Sequence, residues 1–487
     1  MAYAAIGIAA VAIRVWVYRS NLGIPNSDDA VVGLMARHIV DGQFTTFIWG
    51  QAYGGPQEAL LAVPGFAIAG SSWFALLLGP QLLFLVGTVL VWRVGLRTLE
   101  GCGASVATAL YWVWPPYVLY GLTHETSFYG FDIVYSALLL LLALRVVERP
   151  DRIRVGLLGF VAGLAFWETT QIVPILVAVV AWTVWSRPSV LRQAFTAVAL
   201  AALGALPWIV WNLTHGWGSL SLPSGGDTSY AHRLRLFFSP VLPMMLGLRT
   251  PFSQAPLFDA PVVDLVYAVL FGLFAYGAFR SRGRPVSLLY VVGALYPFLY
   301  ALAGQTFNST QPRYLFVLSP VLVLVAAQAM TTWLRASLLI AVACAVTVVT
   351  LHRMEPVPTD LPQAPRNLAP LVATLDANHL DRIYAPYWLA YVLDFDTRER
   401  IVAVENKFGS IGFERPDGAV PPDPFVRYAD YQREVGAARH GYVFFRRGLG
   451  AIAIVPALER HGFRKVVVGP FAVFVPPGPG SLKALRA

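Results

Sequence analysis

Apolar stretches recur along the chain near 2–18, 73–96, 104–122, 128–147, 155–172, 173–186, 194–212, 262–280, 286–303, 313–332 and 336–351. Most approach the ~20 residues that an α-helix needs to cross a bilayer. That repetition constrains the fold more than any other feature: it predicts a polytopic α-helical membrane protein of about 11 transmembrane helices. With 57% hydrophobic and 13% charged residues, the chain carries about half the charge of a soluble domain. The opening stretch AYAAIGIAAVAIRVWVY lacks a basic leader and a small-residue cleavage site, so it reads as a retained first span, with Arg14 inside it.

Net charge is +9, yet the arginines are spread over short loops between apolar segments, where membrane topology accounts for them. Nucleic acid is not an expected partner. With a cytoplasmic amino terminus, Arg93, Arg97, Arg145, Arg149, Arg152, Arg154, Arg187, Arg192, Arg280, Arg282, Arg284 and Arg335 all fall on the inner side. The outer side then receives 19–72, a short loop near 123–127, a long loop at 213–261, the stretch 304–312 and everything after 352. The pair at 155–186 is divided only by ETTQIVP, so one long or broken helix is an alternative there.

From about residue 352 a Pro-rich linker, HRMEPVPTDLPQAPRN, leads into a charged, mixed composition. The expected division is a membrane part at 1–351 and an extracytoplasmic α/β domain at 352–487. Strands are expected in DRIYA, RIVAVE, GYVFF and RKVVVGPFAVFVP, with helices in PYWLAYVLDF and AIAIVPALERHG. Cys102 and Cys344 are the only cysteines and define neither a disulfide framework nor a metal motif. Phosphate-cradling loops, dinucleotide fingerprints and nucleophile elbows are absent.

The polar residues that could carry chemistry lie mostly on the predicted outer side. NSDDAVVGLMARH, 26–38, places Asp28 and Asp29 at the start of a helical pattern formed by Val32, Met35, Ala36 and Ile39, with Asn26 or Ser27 as cap. Acids in a first turn stabilise the helix dipole by ~0.3–1 kcal/mol and need no other role, so a structural reading stands beside a functional one. IWGQAYGGPQEA, 48–59, combines turn residues with Tyr53, Gln57 and Glu58, which suit sugar contacts or a plain interfacial turn. LTHETSFYGFD supplies His124 and Glu125. Glu168 lies in an otherwise apolar span, where ionisable groups are costly and usually face an interior cavity.

Arg313 and Tyr314, in NSTQPRYLFVLSP, sit at the outer mouth of a span; they suit either a phosphate clamp or an interfacial anchor. His232, Arg233 and Arg235, interleaved with Leu and Phe, suit a loop lying among lipid headgroups.

A first outer loop that opens on paired acids, enters a surface helix and reaches GQAYGGPQEALLAVPG before the second span resembles the GT-C superfamily of polyprenyl-phosphate-sugar glycosyltransferases. The resemblance covers the layout of about residues 1–350. It points to the protein O-mannosyltransferase and aminoarabinose-transferase branch, whose members have Asp-Glu where this chain has Asp28-Asp29 and a PPL-type stretch near the glycine-rich segment. It implies a GT-C-like fold and an inverting glycosyltransferase in the plasma or inner membrane, with an extracytoplasmic site. The donor would be a polyprenyl-phosphate-linked sugar, hexosyl or pentosyl, and the acceptor a glycan, glycolipid or protein.

The same resemblance gives Asp28 the role of general base, with Asp29 positioning or exchanging that role, and makes Glu125 a second acid at the acceptor; Glu168, on the cost of its place in an apolar span, is a further candidate for the pocket. The resemblance would give Arg313 with Tyr314 the donor phosphate and close the loop bearing His232, Arg233 and Arg235 over the lipid; Tyr53, Gln57, Glu58 and His124 are candidate sugar or acceptor contacts on their own chemistry. No cofactor is required, and a divalent metal is open. A secondary transporter or lipid flippase is the alternative; it predicts inverted repeats and midplane polar sites, of which only Glu168 is suggestive.

Overall fold

The computed structural model describes residues 2–124, 127–220, 229–307, 310–328, 330, 332–355, 363–405, 427–452 and 454–477. The chain packs as two compact units: Met1–Gly23, Ala52–Glu58 and Leu77–Val357 form one; Ile24–Gln51, Ala59–Leu76 and Pro358–Ala487 form the other.

The first unit is helical. Among the described residues, four helices are long and apolar enough to cross a membrane: Trp73–Thr98, Tyr129–Glu148, Ala260–Arg280 and Leu334–Met354. A bent pair, Thr170–Ser186 with Pro188–Gly204, adds a fifth if counted as one span. Leu265, Tyr276 and Phe279 on the Ala260–Arg280 helix are more than 60% exposed. Such an apolar outer face suits lipid rather than water.

Several stretches that read as continuous are divided for local reasons. Pro115 and Pro116 separate Gly103–Val113 from Pro116–Gly121, since proline supplies no N–H to continue the ladder. Thr169 is extended and caps a short 3-10 turn, Thr170–Ile172, so ETTQIVP is a true break between the Arg152–Glu168 and Val173–Ser186 helices. The segment at 194–212 is two helices, Ala194–Gly204 and Leu206–Thr214, and 313–332 begins as a 3-10 turn, Arg313–Leu318, before Ser319–Gln328.

Small residues let helices approach closely. A Cβ on Gly163 would strike the Ala201 carbonyl oxygen and come within 2.8 Å of Ala205 N, which joins Arg152–Glu168 to Ala194–Gly204 almost backbone to backbone. Arg14, the cation in the first apolar stretch, is buried and held through one nitrogen: Nη1 donates to the carbonyls of Ala10 (3.1 Å) and Trp112 (3.0 Å), and the guanidinium lies 3.9 Å from the Phe84 ring centroid.

The second unit is built on a five-stranded mixed sheet of β1 (Arg382–Ala385), β2 (Val402–Glu405), β3 (Gly441–Phe445), β4 (Arg464–Val468) and β5 (Phe471–Val475), ordered β2-β1-β3-β5-β4. β1 pairs in parallel with β2 and β3, while β5 runs antiparallel to β3 and β4. Strands β2, β3 and β5 are buried throughout, whereas the edge strand β4 is largely exposed.

The strands fall where alternation and β-branched residues placed them, and the Tyr387–Asp396 and Val455–Arg460 helices lie in the expected stretches. Two helices, Ala369–Ala377 and Ala429–Ala437, were not anticipated. Ser27–Val40 belongs to this unit: a Cβ on its Gly33 would stand 2.5 Å from the Phe395 ring, so glycine is what permits the two helices to meet.

Candidate active site

In the second unit, the helix start at NSDD assigns its two acids different surroundings. Asn26 caps the Ser27–Val40 helix: its side chain accepts from Asp28 N (2.7 Å) and Asp29 N (3.3 Å), while Asp29 Oδ2 accepts from Asn26 N at 2.7 Å. This reciprocal arrangement is a capping box, which satisfies backbone donors that the first turn leaves over. Asp29 is fully buried within it. Asp28 keeps a side chain 38% exposed.

Asp28 Oδ1 accepts from the Tyr387 hydroxyl and from Arg427 Nη2 at 3.3 Å. Among the described residues Oδ2 has no hydrogen-bond partner. Arg427 is only 12% exposed along its side chain and ties several groups together. Its Nε donates to the Tyr387 hydroxyl (3.0 Å), its Nη1 to Gln51 Oε1 (2.7 Å), and its backbone N to the Tyr391 hydroxyl (2.7 Å). Burial, opposed by the Arg427 cation and reinforced by Asp28, pushes the Tyr387 hydroxyl well above its ordinary range, so it remains a donor. The local chemistry is an ionisable carboxylate with one oxygen held by a cation and a phenol, at a helix start that favours negative charge.

A second polar cluster grips the other end of the same helix. Glu399 accepts from Arg37 Nη1 (2.9 Å) and the Tyr431 hydroxyl (2.5 Å) and pairs with His38 Nε2 (2.6 Å), while Gln43 Oε1 meets His38 Nδ1 at 2.8 Å. Burial alone raises the Glu399 carboxyl, but hydrogen bonds from His38, Tyr431 and Arg37 outweigh it and bring it down to about 2. Burial lowers the His38 imidazole, yet bonds to Glu399 and Gln43 leave it above its ordinary value. Trp49 and Tyr428 stack beside it at 4.2 Å between centroids.

The first unit gathers a different set. Gly54 takes φ of 75°, making the turn that leads into the Gln57–Ala69 helix. Gln57 N donates to Glu168 Oε2 (3.3 Å), Gly55 N to the Glu168 carbonyl (2.8 Å), and Gly130 N to Glu58 Oε1 (2.8 Å). The Tyr135 hydroxyl donates to Gln57 Oε1. Gln57, Glu58 and Glu168 are thus buried and tied to backbone, while Tyr53 is half-buried. Glu168 ends its helix immediately before the break at Thr169. Asp132, fully buried one turn into the Tyr129–Glu148 helix, lies within electrostatic range of both glutamates; it received no role from the sequence.

Arg313 and Tyr314 open the Arg313–Leu318 turn, both half-buried, with the guanidinium 5.4 Å from the Tyr314 ring. Tyr117, Tyr129 and Tyr300 also lie within electrostatic range of Arg313. His124 is buried, its Nε2 donating to the Leu22 carbonyl at 2.6 Å. Glu125 lies outside the described residues. His232 and Arg235 are exposed on the Tyr230–Leu236 helix, whereas Arg233 Nε donates to the Ala301 carbonyl at 2.8 Å. Among the described residues, no group of three or more His, Cys, Asp or Glu is arranged to hold a metal ion.

Sequence reasoning missed Tyr387 and Arg427. Tyr387 carries a helix-forming stretch, and Arg427 follows a Pro-rich run in PPDPFVRYAD, so neither offers a local signal linking it to residue 28.

Residues 55–211 match the family model for dolichyl-phosphate-mannose-protein mannosyltransferase. No curated protein sequence matches significantly. The fold is similar to that of ArnT from Cupriavidus metallidurans in the apo state, with TM-score 0.61 and 14% identity over 97% of this chain and 98% of that one. ArnT from the same organism bound to undecaprenyl phosphate gives TM-score 0.61 and 14% identity over 96% and 97%. The archaeal oligosaccharyltransferase AglB from Archaeoglobus fulgidus, in complex with an inhibitory peptide and a dolichol-phosphate, gives TM-score 0.54 and 12% identity over 98% and 75%. The fold is GT-C-like, helical with a small carboxy-terminal sheet, as the resemblance in the sequence implied.

Proposed function

We propose that this protein is an integral membrane glycosyltransferase that moves a sugar from a polyprenyl-phosphate carrier to an acceptor hydroxyl, with inversion at the anomeric carbon and Asp28 as general base. The observation that carries the reading is the fold shared with ArnT along nearly the whole of both chains, one of those structures holding undecaprenyl phosphate. The mannosyltransferase match over 55–211 supports the same class of donor.

In the proposed step, the acceptor oxygen attacks the anomeric carbon and the bond from that carbon to the phosphate oxygen breaks. Its electron pair leaves with the lipid phosphate, and the acceptor proton passes to Asp28. General-base assistance of this kind contributes roughly 10²–10⁴-fold. Asp28 suits the role better than Asp29, because its carboxylate is half-exposed and Asp29 serves the cap. Arg313, with Tyr314, is assigned the donor phosphate, where a guanidinium stabilises charge developing on the leaving group. Glu168 and Glu58, buried and backbone-bonded, hold the 52–58 turn against the break at Thr169.

The topology proposed has about 11 spans with the amino terminus cytoplasmic and the sheet-bearing unit extracytoplasmic. The acceptor class is a glycan, glycolipid or protein hydroxyl, and a divalent metal is not assigned. The reading is tested by supplying membranes containing the protein with a panel of radiolabelled polyprenyl-phosphate sugars. Transfer is expected from wild type, and Asp28→Asn is expected to lose at least about 100-fold. Wild type that transfers from no donor, or a folded Asp28→Asn that keeps full turnover, overturns it.

A further inference from the structure

The Asp28 carboxylate is not left to find its own orientation. A half-exposed aspartate at a helix start can rotate about two side-chain bonds, and a proton acceptor is useful only when one lone pair is aimed and kept free. Here Oδ1 is occupied from two sides, by Arg427 Nη2 at 3.3 Å and by the Tyr387 hydroxyl. The two are themselves joined, Arg427 Nε donating to the Tyr387 oxygen at 3.0 Å, so phenol and guanidinium form a single brace.

The brace is anchored away from Asp28. Arg427 Nη1 is held by Gln51 Oε1 at 2.7 Å, and the Arg427 backbone N donates to Tyr391. Tyr387 is fixed from its other side, its carbonyl accepting from the Ser27 hydroxyl. Asp28, Tyr387 and Arg427 therefore close a hydrogen-bonded triangle, which Ser27, Gln51 and Tyr391 each hold by one further bond within the second unit.

We infer that Arg427, acting through the Tyr387 hydroxyl as well as directly, is a positioning residue that fixes the Asp28 carboxylate by Oδ1 and leaves Oδ2 to take the acceptor proton. The inference rests on the proposed glycosyl transfer with Asp28 as base. Arg427 touches neither sugar nor phosphate in this role, so its loss slows the step without weakening donor binding. A lysine can replace the charge but not the fork that reaches Asp28, Tyr387 and Gln51 together.

Arg427→Gln, Arg427→Lys, Arg427→Ala and Tyr387→Phe are compared with wild type in the donor-transfer assay, each first checked for a wild-type melting transition. Arg427→Gln is expected to lower kcat by roughly 30–100-fold with donor KM within about twofold, since the interaction acts on the step rather than on binding. Tyr387→Phe, which removes one hydroxyl, is expected to cost roughly tenfold and keeps the test open if Arg427→Gln does not fold. Arg427→Lys should recover part of the loss, and added guanidinium ion should partly restore Arg427→Ala.

The deciding measurement is a double-mutant cycle: in an Asp28→Asn background, Arg427→Gln should lower the residual turnover no further. A folded Arg427→Gln or Tyr387→Phe at wild-type rate, losses that multiply with that of Asp28→Asn, or a rise in donor KM without a fall in kcat each overturn the inference. An inactive Asp28→Asn beside a fully active Arg427→Gln removes only this inference. A fully active Asp28→Asn removes the assignment of the base itself.

Discussion

His38 and Glu399, 361 positions apart in sequence, face each other at 2.6 Å between Nε2 and Oε1. Arg37 and Tyr431 bond the same carboxylate, so the end of the Ser27–Val40 helix is held by charge as well as by packing. The pair has a defined pH window. Glu399 is lowered on folding to about 2 from 4.5, so its contribution is complete above about pH 4.5 and is lost as pH falls toward 2. His38 is raised above 6.5, so its contribution is complete below about pH 6.5 and is lost as pH rises through its folded value. Thermal melts of the detergent-solubilised protein should show greatest stability between about pH 4.5 and 6.5, with an alkaline decline that His38→Gln removes. Glu399→Gln should cost about 1.5–3 kcal/mol at pH 6. An unchanged alkaline decline in His38→Gln assigns it to another group.

Asp28 and Asp29 should separate cleanly. Asp29→Ala opens the capping box and is expected to destabilise by about 1 kcal/mol while retaining most of the transfer activity. Asp28→Asn is expected to fold normally and to lose transfer. The two variants are compared by melting temperature and by turnover on one donor; the reverse pattern would exchange their roles.

For Arg313, removal of the guanidinium should fall on the lipid carrier. Arg313→Ala is expected to weaken transfer by at least about 100-fold, with Arg313→Lys intermediate because a point charge replaces a planar fork. Competition by free polyprenyl phosphate supplies a second readout: its inhibition should weaken in parallel. Undiminished inhibition would leave Arg313 as an interfacial anchor.

Gly163 should tolerate no side chain. Gly163→Ala places a Cβ against the Ala201 carbonyl oxygen and 2.8 Å from Ala205 N, both backbone atoms that cannot rotate away. A loss of about 1–3 kcal/mol is expected, read as a lower melting temperature with the activity per folded molecule unchanged.

What could be read from the sequence follows the range of the forces involved. Apolar runs and β-branched strands are local signals, which is why the strands at Arg382–Ala385, Val402–Glu405 and Gly441–Phe445 lie where composition placed them. A cap at Asn26 or Ser27 was legible for the same reason, and Asn26 takes it. Tyr387 and Arg427 were not, because their relation to Asp28 exists only through tertiary packing across 359 and 399 positions. The burial of Gln57 and Glu58 was not legible either, because burial cannot be seen in a turn sequence; Gln57 Nε2 donates to the Leu164 carbonyl and Glu58 Oε1 accepts from Gly130 N.

The membership of the second unit also sets an order of assembly. Ser27–Val40 leaves the ribosome early, yet its Tyr387 partner is 359 residues further along. At about 5–20 residues per second, roughly 20–70 s of synthesis separate the two. Through that interval Asp28 waits without its brace and Gly33 without the Phe395 ring it abuts. The Ser27–Val40 helix meets these partners only once the chain from residue 387 onward exists, so a nascent chain halted before residue 387 carries the acid but not the means of aiming it.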